Sequence, residues 1–391
     1  MNPSTRKSEY VYGLDIFRSV AILLVLMAHT FEHSTLPAWL ASLRHIGVLG
    51  VELFFVLSGL LIGAILIRLI DQGRLRSIAD IRGFWTRRWL RTLPLYVVLY
   101  FAFLRFDYHG RHGLFDYPLY LVFFQNFAWR TPEFFELSWS LAVEEHFYLW
   151  FPLAYLACSR VVRDPRRAMI LAAGAFVIVV YVFRCAQPLI GDFIEYQRLI
   201  RFAVLSRLDA VMFGVMIAMA KRYIPPLFHR IAYLTPLWGL GFGAICVWYY
   251  LGAPGILTSH ALQINLYTVQ SIICCCLLPR FDGIKERPNS GYAGFFVVTS
   301  RLAYSLYLVH ILVIIGVNDV LGRLGLFDRI YPNPLVIYPI YFSLYYVAAW
   351  ITYRTIERPF LGLRDVAFSW WKTAMATGPA LGALVFLIAV A

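Results

Sequence analysis

The sequence predicts an all-α, polytopic integral membrane protein with about ten core transmembrane helices, one further C-terminal helix and one re-entrant or interfacial segment. Of the 391 residues, 60% are hydrophobic and only 15% are charged, whereas soluble domains are about half apolar and a quarter charged. The apolar residues form runs of about twenty, the length that crosses a bilayer as a helix. Basic residues cluster in the short segments between these runs, which is typical of cytoplasmic loops.

The apolar runs divide the chain into one large membrane domain and a short C-terminal part. The domain is expected over residues 1–362, and an inner linker with an additional helix over 363–391, where the last apolar run is 374–391. The core runs cover residues 14–34, 47–70, 92–107, 138–158, 168–187, 203–220, 231–251, 261–279, 292–316 and 335–356.

The basic loops predict the orientation. The loop after the second run is rich in arginine, and Arg6 and Lys7 precede the first run. The excess of positive charge on the inner side places both in the cytoplasm. The apolar segment 117–129 is short, and counting it as a span would move the basic loop Arg160–Arg167 outside. We therefore predict that it is re-entrant or interfacial, with protein covering its backbone.

The first predicted helix carries three ionisable residues, Asp15, Arg18 and His29. Such residues are costly inside a bilayer and usually functional. Arg18 and His29 are eleven positions apart, close to three helical turns, so they share one face about 16 Å apart along the axis. The alternative interpretation is a local Asp15–Arg18 pair and a histidine that only packs.

Two adjacent carboxylates, Glu144 and Glu145, lie near the outer end of the fourth predicted span. By helical rise, they reach about the same depth as His29. A carboxylate beside an imidazole suits general acid–base catalysis. The alternative is a structural pair that stabilises a helix interface through the nearby Trp139.

Further polar residues map to the outer half and could hold a hydroxylated acceptor. Because Arg207 and Asp209 are two positions apart, they are not expected to be each other's main partner. Tyrosines such as Tyr307 could equally be interfacial packing residues. Together with Asp15 of the first helix, the candidate substrate-binding residues are Glu52, Trp139, Arg207, Asp209, Tyr307 and His310.

The inner side carries a candidate anion site. Arg88 and Arg91 are three positions apart on one helix face, and with Arg87 and Arg18 they form a cationic mouth suited to phosphates. The alternative is anchoring to lipid headgroups. The net charge of +13 follows from loop arginines and does not indicate nucleic-acid binding. The six cysteines lack metal-ligand spacing, so no metal site is predicted.

Taken together, these motifs resemble the acyltransferase-3 family of bacterial membrane acyltransferases over roughly residues 10–362. The resemblance rests on the Arg18-x10-His29 helix, Gly50–Gly59, Arg88-Trp-Leu-Arg91, Trp139–Tyr148, Arg207-Leu-Asp209, Tyr304–His310 and Glu357-Arg-Pro-Phe360. It implies O-acylation, usually O-acetylation, of a hydroxylated molecule with acyl-CoA as donor. It also implies roles in activity for Arg18, His29, Arg88 and Arg91.

The resulting hypothesis is a membrane-embedded O-acetyltransferase. His29, assisted by Glu144 or Glu145, would deprotonate the acceptor hydroxyl or briefly accept the acyl group. The acceptor could be a polysaccharide, an O-antigen, a lipid-linked oligosaccharide or a macrolide-like metabolite. Besides membrane lipids, a second copy of the chain or a separate soluble protein could be a partner, because some family members continue into an esterase-like domain. A transporter or flippase is the alternative function, since membrane-embedded Arg, His and Glu also form proton relays.

Overall fold

Long helices account for nearly all of the regular structure in the computed structural model, which describes residues 10–32, 41–106, 116–132 and 134–363. The longer helices are α1 (Tyr12–Glu32), α2 (Val48–Asp71), α3 (Ile78–Phe106), α4 (Ser138–Val161), α5 (Pro165–Cys185), α6 (Leu208–Tyr223), α7 (Pro225–Tyr233), α8 (Thr235–Tyr250), α9 (His260–Asp282), α10 (Gly291–Arg323) and α11 (Pro334–Thr352). Shorter helical segments cover Ser42–Gly47, Asp116–Leu121, Phe193–Tyr196, Gln197–Arg201, Val204–Ser206, Phe327–Ile330, Tyr353–Glu357 and Arg358–Gly362. Within these residues the all-α prediction is confirmed.

Each predicted core span overlaps one of the longer helices. Six helices in the described part of the chain are long and apolar enough to cross a membrane, or seven if the bent pair α6–α7 counts as one span. The protein is therefore polytopic, and the count of about ten crossings stays a prediction. The predicted helix at 374–391 lies outside the described residues.

The largest difference from the predicted spans is in α3. The sequence places the third span at 92–107, but the helix already begins at Ile78. Asp80 accepts hydrogen bonds from the backbone N–H groups of Arg76 and Ser77, which satisfies donors that a helix start leaves without partners. The arginine-rich segment is thus helical, and this places Arg88 and Arg91 on a rigid element.

The helix ends that carry the basic loops meet at one end of the bundle, here called the basic end. Arg222 at the end of α6 pairs with Asp71 at the end of α2 at 2.8 Å. Lys221 pairs with Asp282 at the end of α9 at 2.7 Å. The start of α1 joins the same group, because the Gly13 N–H donates to a carbonyl just after α9. This grouping agrees with the predicted alternation of the loops, which places all the basic loops on one side of the membrane.

The segment 117–129 belongs to the opposite end of the bundle. It contains only the six-residue helix Asp116–Leu121 and then turns irregular. Its buried amides bind neighbouring elements: Gln125 donates to Ser138, and Asn126 donates to the carbonyl of Phe202. The segment does not form a span-length helix, as predicted, and protein covers its polar groups.

Glycines let α2 and α6 approach closely behind the site. A Cβ on Gly59 would lie 2.0 Å from the carbonyl oxygen of Val211, and one on Gly214 would lie 2.1 Å from that of Val56. Small residues commonly allow such backbone contact between membrane helices. The contact fixes the side of α2 that faces the site.

Candidate active site

The arginines that the sequence places on the inner side line a common cavity, here called the arginine cavity. It lies among α1, α2, α3, α4 and α10. Its polar lining consists of Arg18, Ser58, Arg88, Arg91, Thr92, Ser140, Glu144, Tyr148, Ser300, Tyr304 and Tyr307. Three cations around one cavity suit an anionic ligand. Arg87, which the sequence places in the same cationic mouth, does not line this cavity.

Neighbouring side chains hold the arginines of this cavity in place. Arg18 donates to the Ser300 hydroxyl at 3.1 Å, and that hydroxyl donates to Asp15 at 2.6 Å. Arg88 lies over the rings of Phe84 and Tyr148, 5.8 and 6.0 Å from their centres. Asp15 does not line the cavity. It therefore positions Arg18 through Ser300, which differs from the predicted contact with substrate.

Glu144 faces the arginine cavity, where two hydroxyl groups bind its carboxylate. Tyr148 donates at 2.6 Å, and Ser58 donates at 2.8 Å. Glu145 points elsewhere and accepts from the Thr92 hydroxyl at 2.7 Å. The hydrogen bonds of both carboxylates thus go to hydroxyl groups around the arginine cavity, whereas the sequence suggested that one of them would assist His29.

His29 lies in a second and much larger cavity, here called the histidine cavity, towards the opposite end of the bundle. Its walls come from α1, α2, α8, α9 and α10, the segment Ser42–Gly47 and the start of α4. The connections before α4, between α5 and α6 and between α8 and α9 complete them. The polar and aromatic lining includes Arg44, His45, Glu136, Trp139, Tyr196, Gln197, Arg198, Arg201, Phe202, Trp248, Tyr249, Tyr267 and Tyr307. Trp139, a predicted substrate contact, packs in this wall on Phe202 with ring centres 4.9 Å apart.

The side chain next to the His29 ring is His310, while Glu144 and Glu145 bind the hydroxyl groups named above. His29 Nδ1 lies 3.3 Å from His310 Nε2 and 3.0 Å from the carbonyl oxygen of Val25. His310 Nδ1 lies 3.1 Å from the carbonyl of Leu306. Carbonyl oxygens only accept, so each Nδ1 carries the hydrogen. In the neutral pair, His310 Nε2 then accepts from His29, and the lone pair of His29 is on Nε2.

This tautomer makes His29 a competent base. A proton taken by Nε2 creates an imidazolium whose Nδ1–H already points to His310 Nε2 and a carbonyl oxygen. Both acceptors stabilise that charge, and both fix the ring. His310 therefore orients His29, which differs from the predicted contact with substrate.

The two cavities share two lining residues, Val51 and Tyr307. The Tyr307 hydroxyl lies 2.6 Å from that of Ser140 and donates to the carbonyl of Leu137 at 2.8 Å. These bonds tie α10 to the start of α4 at the boundary between the cavities. A group bound in one cavity thus needs to pass only this boundary to reach the other.

Glu52, Arg207 and Asp209, predicted to bind substrate, instead form a buried polar network. Arg207 pairs with Glu52, and both side chains are at most 1% exposed. Asp209 pairs with Arg184 at 2.8 Å, equally buried. None of them lines either cavity. Arg207 and Asp209 are indeed not each other's partner, as their spacing predicts, and the burial of all three is that of a structural network.

Several polar residues of the site escaped the sequence interpretation. Tyr148 could have been found, because it follows Glu144 by four positions, one helical turn. Ser58 and Ser140 lie within motifs but carry no charge to mark them. Arg201 stands in a polar connection and looks like an ordinary loop arginine. Among the described residues, no group of three or more His, Cys, Asp or Glu side chains is placed to hold a metal ion.

Comparison with known proteins gives a family and several relatives. The sequence model of the acyltransferase-3 family, described as "Acyltransferase domain", matches residues 11–354. "Putative O-acetyltransferase SACOL0978" of Staphylococcus aureus strain COL is 25% identical over 93% of this chain and 59% of its own length. "O-acetyltransferase OatA" of S. aureus strain NCTC 8325 is 25% identical over 90% of this chain and 57% of its own length. No solved structure matches the chain.

The chain thus spans somewhat more than half the length of these relatives. The family match covers nearly all of the described helices and every residue of both cavities named above. With its arginine cavity, its His29–His310 pair and this match, the chain belongs to the acyltransferase-3 family.

Proposed function

We propose that the protein transfers an acyl group, most simply acetyl, from acyl-CoA to a hydroxyl group of a sugar or glycan. The observation that carries this proposal is the pair of adjoining cavities, one with three arginines and one with the histidine pair, which share Val51 and Tyr307. The names of the relatives, O-acetyltransferases, support the acetyl group. The acyl-CoA donor and the hydroxylated acceptor are what the family resemblance implies, and the chemistry of the cavities fits both.

The arginine cavity fits the donor. CoA carries phosphates, and Arg18, Arg88 and Arg91 offer planar cations that bind phosphate oxygens through paired N–H groups. The pantetheine arm of CoA is long enough to cover the roughly 16 Å along α1 from Arg18 to His29. The thioester would then lie near Val51 and Tyr307, where the cavities adjoin.

The transfer step uses the His29–His310 pair. His29 Nε2 takes the proton of the acceptor hydroxyl while the hydroxyl oxygen forms a bond to the carbonyl carbon of the thioester. The carbon–sulfur bond then breaks, and the proton passes to the sulfur, giving free CoA and an ester. An acyl group held briefly on His29 would be the alternative route. Incubation of the purified protein with CoA thioester radiolabelled in the acyl group tests the function, because a transporter would transfer no label to an acceptor.

Replacement of Arg91 by alanine is expected to weaken use of the donor. A charge-assisted hydrogen bond contributes roughly 1.5–3 kcal/mol, so the KM for acyl-CoA should rise about 10- to 100-fold while the acceptor KM changes little. The control is Arg82→Ala, since Arg82 is a basic residue of α3 outside the cavity. An unchanged donor KM with poor membrane insertion would instead support headgroup anchoring.

The basic end of the bundle is proposed to face the cytoplasm of the bacterial inner membrane. Excess positive charge marks the inner side, and this orientation would let acyl-CoA enter the arginine cavity from the cytoplasm. Cysteine placed at Gln72 or Thr258, both exposed, in a background without native cysteines tests the orientation. A membrane-impermeant thiol reagent on spheroplasts should label Thr258→Cys and spare Gln72→Cys. Labelling of Gln72→Cys and not of Thr258→Cys would show that the basic end faces the outside.

The identity of the glycan requires a cellular experiment. Mass spectrometry of surface glycans from a deletion strain and its parent would reveal which species loses the mass of an acyl group. Loss from a secondary metabolite such as a macrolide, with unchanged glycans, would refute the proposed acceptor class.

A further inference from the structure

We propose that the acceptor is an anionic saccharide, whose carboxylate or phosphate group binds the arginines of the histidine cavity while a nearby sugar hydroxyl reaches His29. This inference rests on the proposed function, since it names the class of acceptor for the same site. Its central residue is Arg201, which no sequence motif marks.

The first observation is the charge of the lining. Arg44, Arg198 and Arg201 line the histidine cavity, and Glu136 is its one carboxylate among the described lining residues. A concave surface with an excess of one sign attracts ligands of the opposite charge. A neutral glycan would not require these cations.

The second observation is that two of these arginines, Arg44 and Arg201, have surroundings unlike those of the structural arginines. Arg184 and Arg207 are fully buried, and each pairs with a buried carboxylate. Among the ion pairs of the described residues, none includes Arg44 or Arg201. The positive charge of these two side chains thus remains available to a ligand in the cavity.

The third observation is the local structure that presents Arg201. Gln197–Arg201 forms a turn of π-helix, a rare conformation found frequently at functional sites. The Arg201 guanidinium lies 5.7 Å from the ring centre of Trp139 and 5.4 Å from that of Phe202. It also donates to the Gln197 side chain at 3.2 Å. Ordering of this kind lowers the entropic cost of binding an anion.

Aromatic side chains complete a surface suited to sugars. Trp139, Trp248, Tyr249 and Tyr267 line the same cavity as Arg201 and His29. Rings with one polar edge offer apolar faces for the C–H groups of a sugar and hydroxyl or N–H groups for its oxygens. The planar arginine fork matches carboxylate and phosphate equally well, so both anions are tested.

The test compares an acidic saccharide with its neutral methyl ester and adds a saccharide whose anionic group is a phosphate. Purified protein in lipid nanodiscs receives radiolabelled acetyl-CoA with a trigalacturonic acid, its neutral methyl ester, or glucose linked through phosphate to a short polyprenyl chain. Binding of each saccharide without donor is followed in parallel by tryptophan fluorescence. We expect at least one anionic compound to bind and to accept label at least 10-fold better than the methyl ester. The anionic compound with the higher affinity and rate shows whether the site binds a sugar carboxylate or a lipid-linked phosphate.

Variants connect the preference to Arg201. Arg201→Gln should raise the KM or Kd of the preferred anion about 10- to 100-fold and leave the KM and Kd of the methyl ester unchanged. Arg201→Lys should restore part of the lost affinity for the anion. Arg323→Gln is the matched control, because Arg323 pairs with Asp319 on the surface of α10 and lines neither cavity. If Arg201→Gln proves unstable, Arg44→Gln and the dependence of Kd on salt take its place.

The outcomes separate the two proposals. Transfer of label to the methyl ester and the acids at equal rates, with equal Kd values, would overturn the anionic acceptor and leave the acyltransferase proposal intact. Binding of the anion that depends on Arg201, with no turnover of acetyl-CoA on any acceptor, would support the anion site and refute the proposed donor. Equal Kd values for Arg201→Gln and the parent protein would also overturn the inference.

Discussion

Replacement of His29 by alanine is expected to abolish acyl transfer while the protein remains folded and inserted. General acid–base groups contribute about 10²- to 10⁴-fold, and His29 is the proposed base of the transfer step. Its removal leaves His310 in place, with the backbone bond from His310 Nδ1 to Leu306 intact. The measurement is the initial rate of label transfer by purified protein at saturating donor, normalised to protein recovered from the membrane.

Two companion variants make this result specific. His310→Ala should lower the rate less than His29→Ala, since His310 only orients His29 and stabilises its protonated form. His260→Ala is the control, because His260 lies on the surface at the start of α9 and contacts the carbonyl of Gln187. Parental turnover by His29→Ala would refute the catalytic assignment. A loss in His260→Ala as large as in His29→Ala would point to general damage.

The helical stripe of α1 could be predicted from the sequence because it depends on one element alone. Arg18 and His29 belong to the same continuous helix, Tyr12–Glu32, so their relative positions follow from the rise and turn of an α-helix. The same reasoning holds for Arg88 and Arg91 on α3. Arg18, Arg88 and Arg91 line one cavity, whereas Arg87, which the sequence places with them, does not.

Pairings between helices could not be predicted in the same way. His29 and Glu144 were matched by depth, but depth says nothing about the direction in which each helix points its side chains. The structure turns Glu144 towards Ser58 and Tyr148, and His310 of α10 comes to His29 instead. The packing of the whole helix bundle determines which side chains of different helices meet. A single sequence contains no direct signal for these pairings.

The same limit explains why buried ion pairs looked like a binding site. Glu52, Arg207 and Asp209 are charged residues in the outer half, and charge inside a membrane usually indicates function. Their partners come from distant segments: Glu52 is on α2, and Arg184 is at the end of α5. When those partners are not known, a buried network of ion pairs and an open polar site have the same sequence pattern.

The ion pair of Glu52 and Arg207 leads to the second large prediction, a loss of stability in Glu52→Ala. Arg207 is fully buried and packs over Tyr267 with its guanidinium 4.0 Å from the ring centre, and Ser271 donates to the other Glu52 oxygen at 3.0 Å. Removing one partner of a buried pair leaves an uncompensated charge and costs about 3–5 kcal/mol. Thermal unfolding in detergent should therefore show a clearly lower Tm for Glu52→Ala.

A double replacement distinguishes this structural role from the predicted substrate contact. Glu52→Leu combined with Arg207→Met removes both charges and keeps apolar volume, so it should recover much of the stability that Glu52→Ala loses. Glu195→Ala breaks a partly exposed pair with Arg130 and should cost less than about 1 kcal/mol. If Glu52→Ala instead keeps the parental Tm and raises only the acceptor KM, then Glu52 binds the acceptor. In that case the ion pair would have to open during the reaction, and the histidine cavity would extend past α2 to the start of α6.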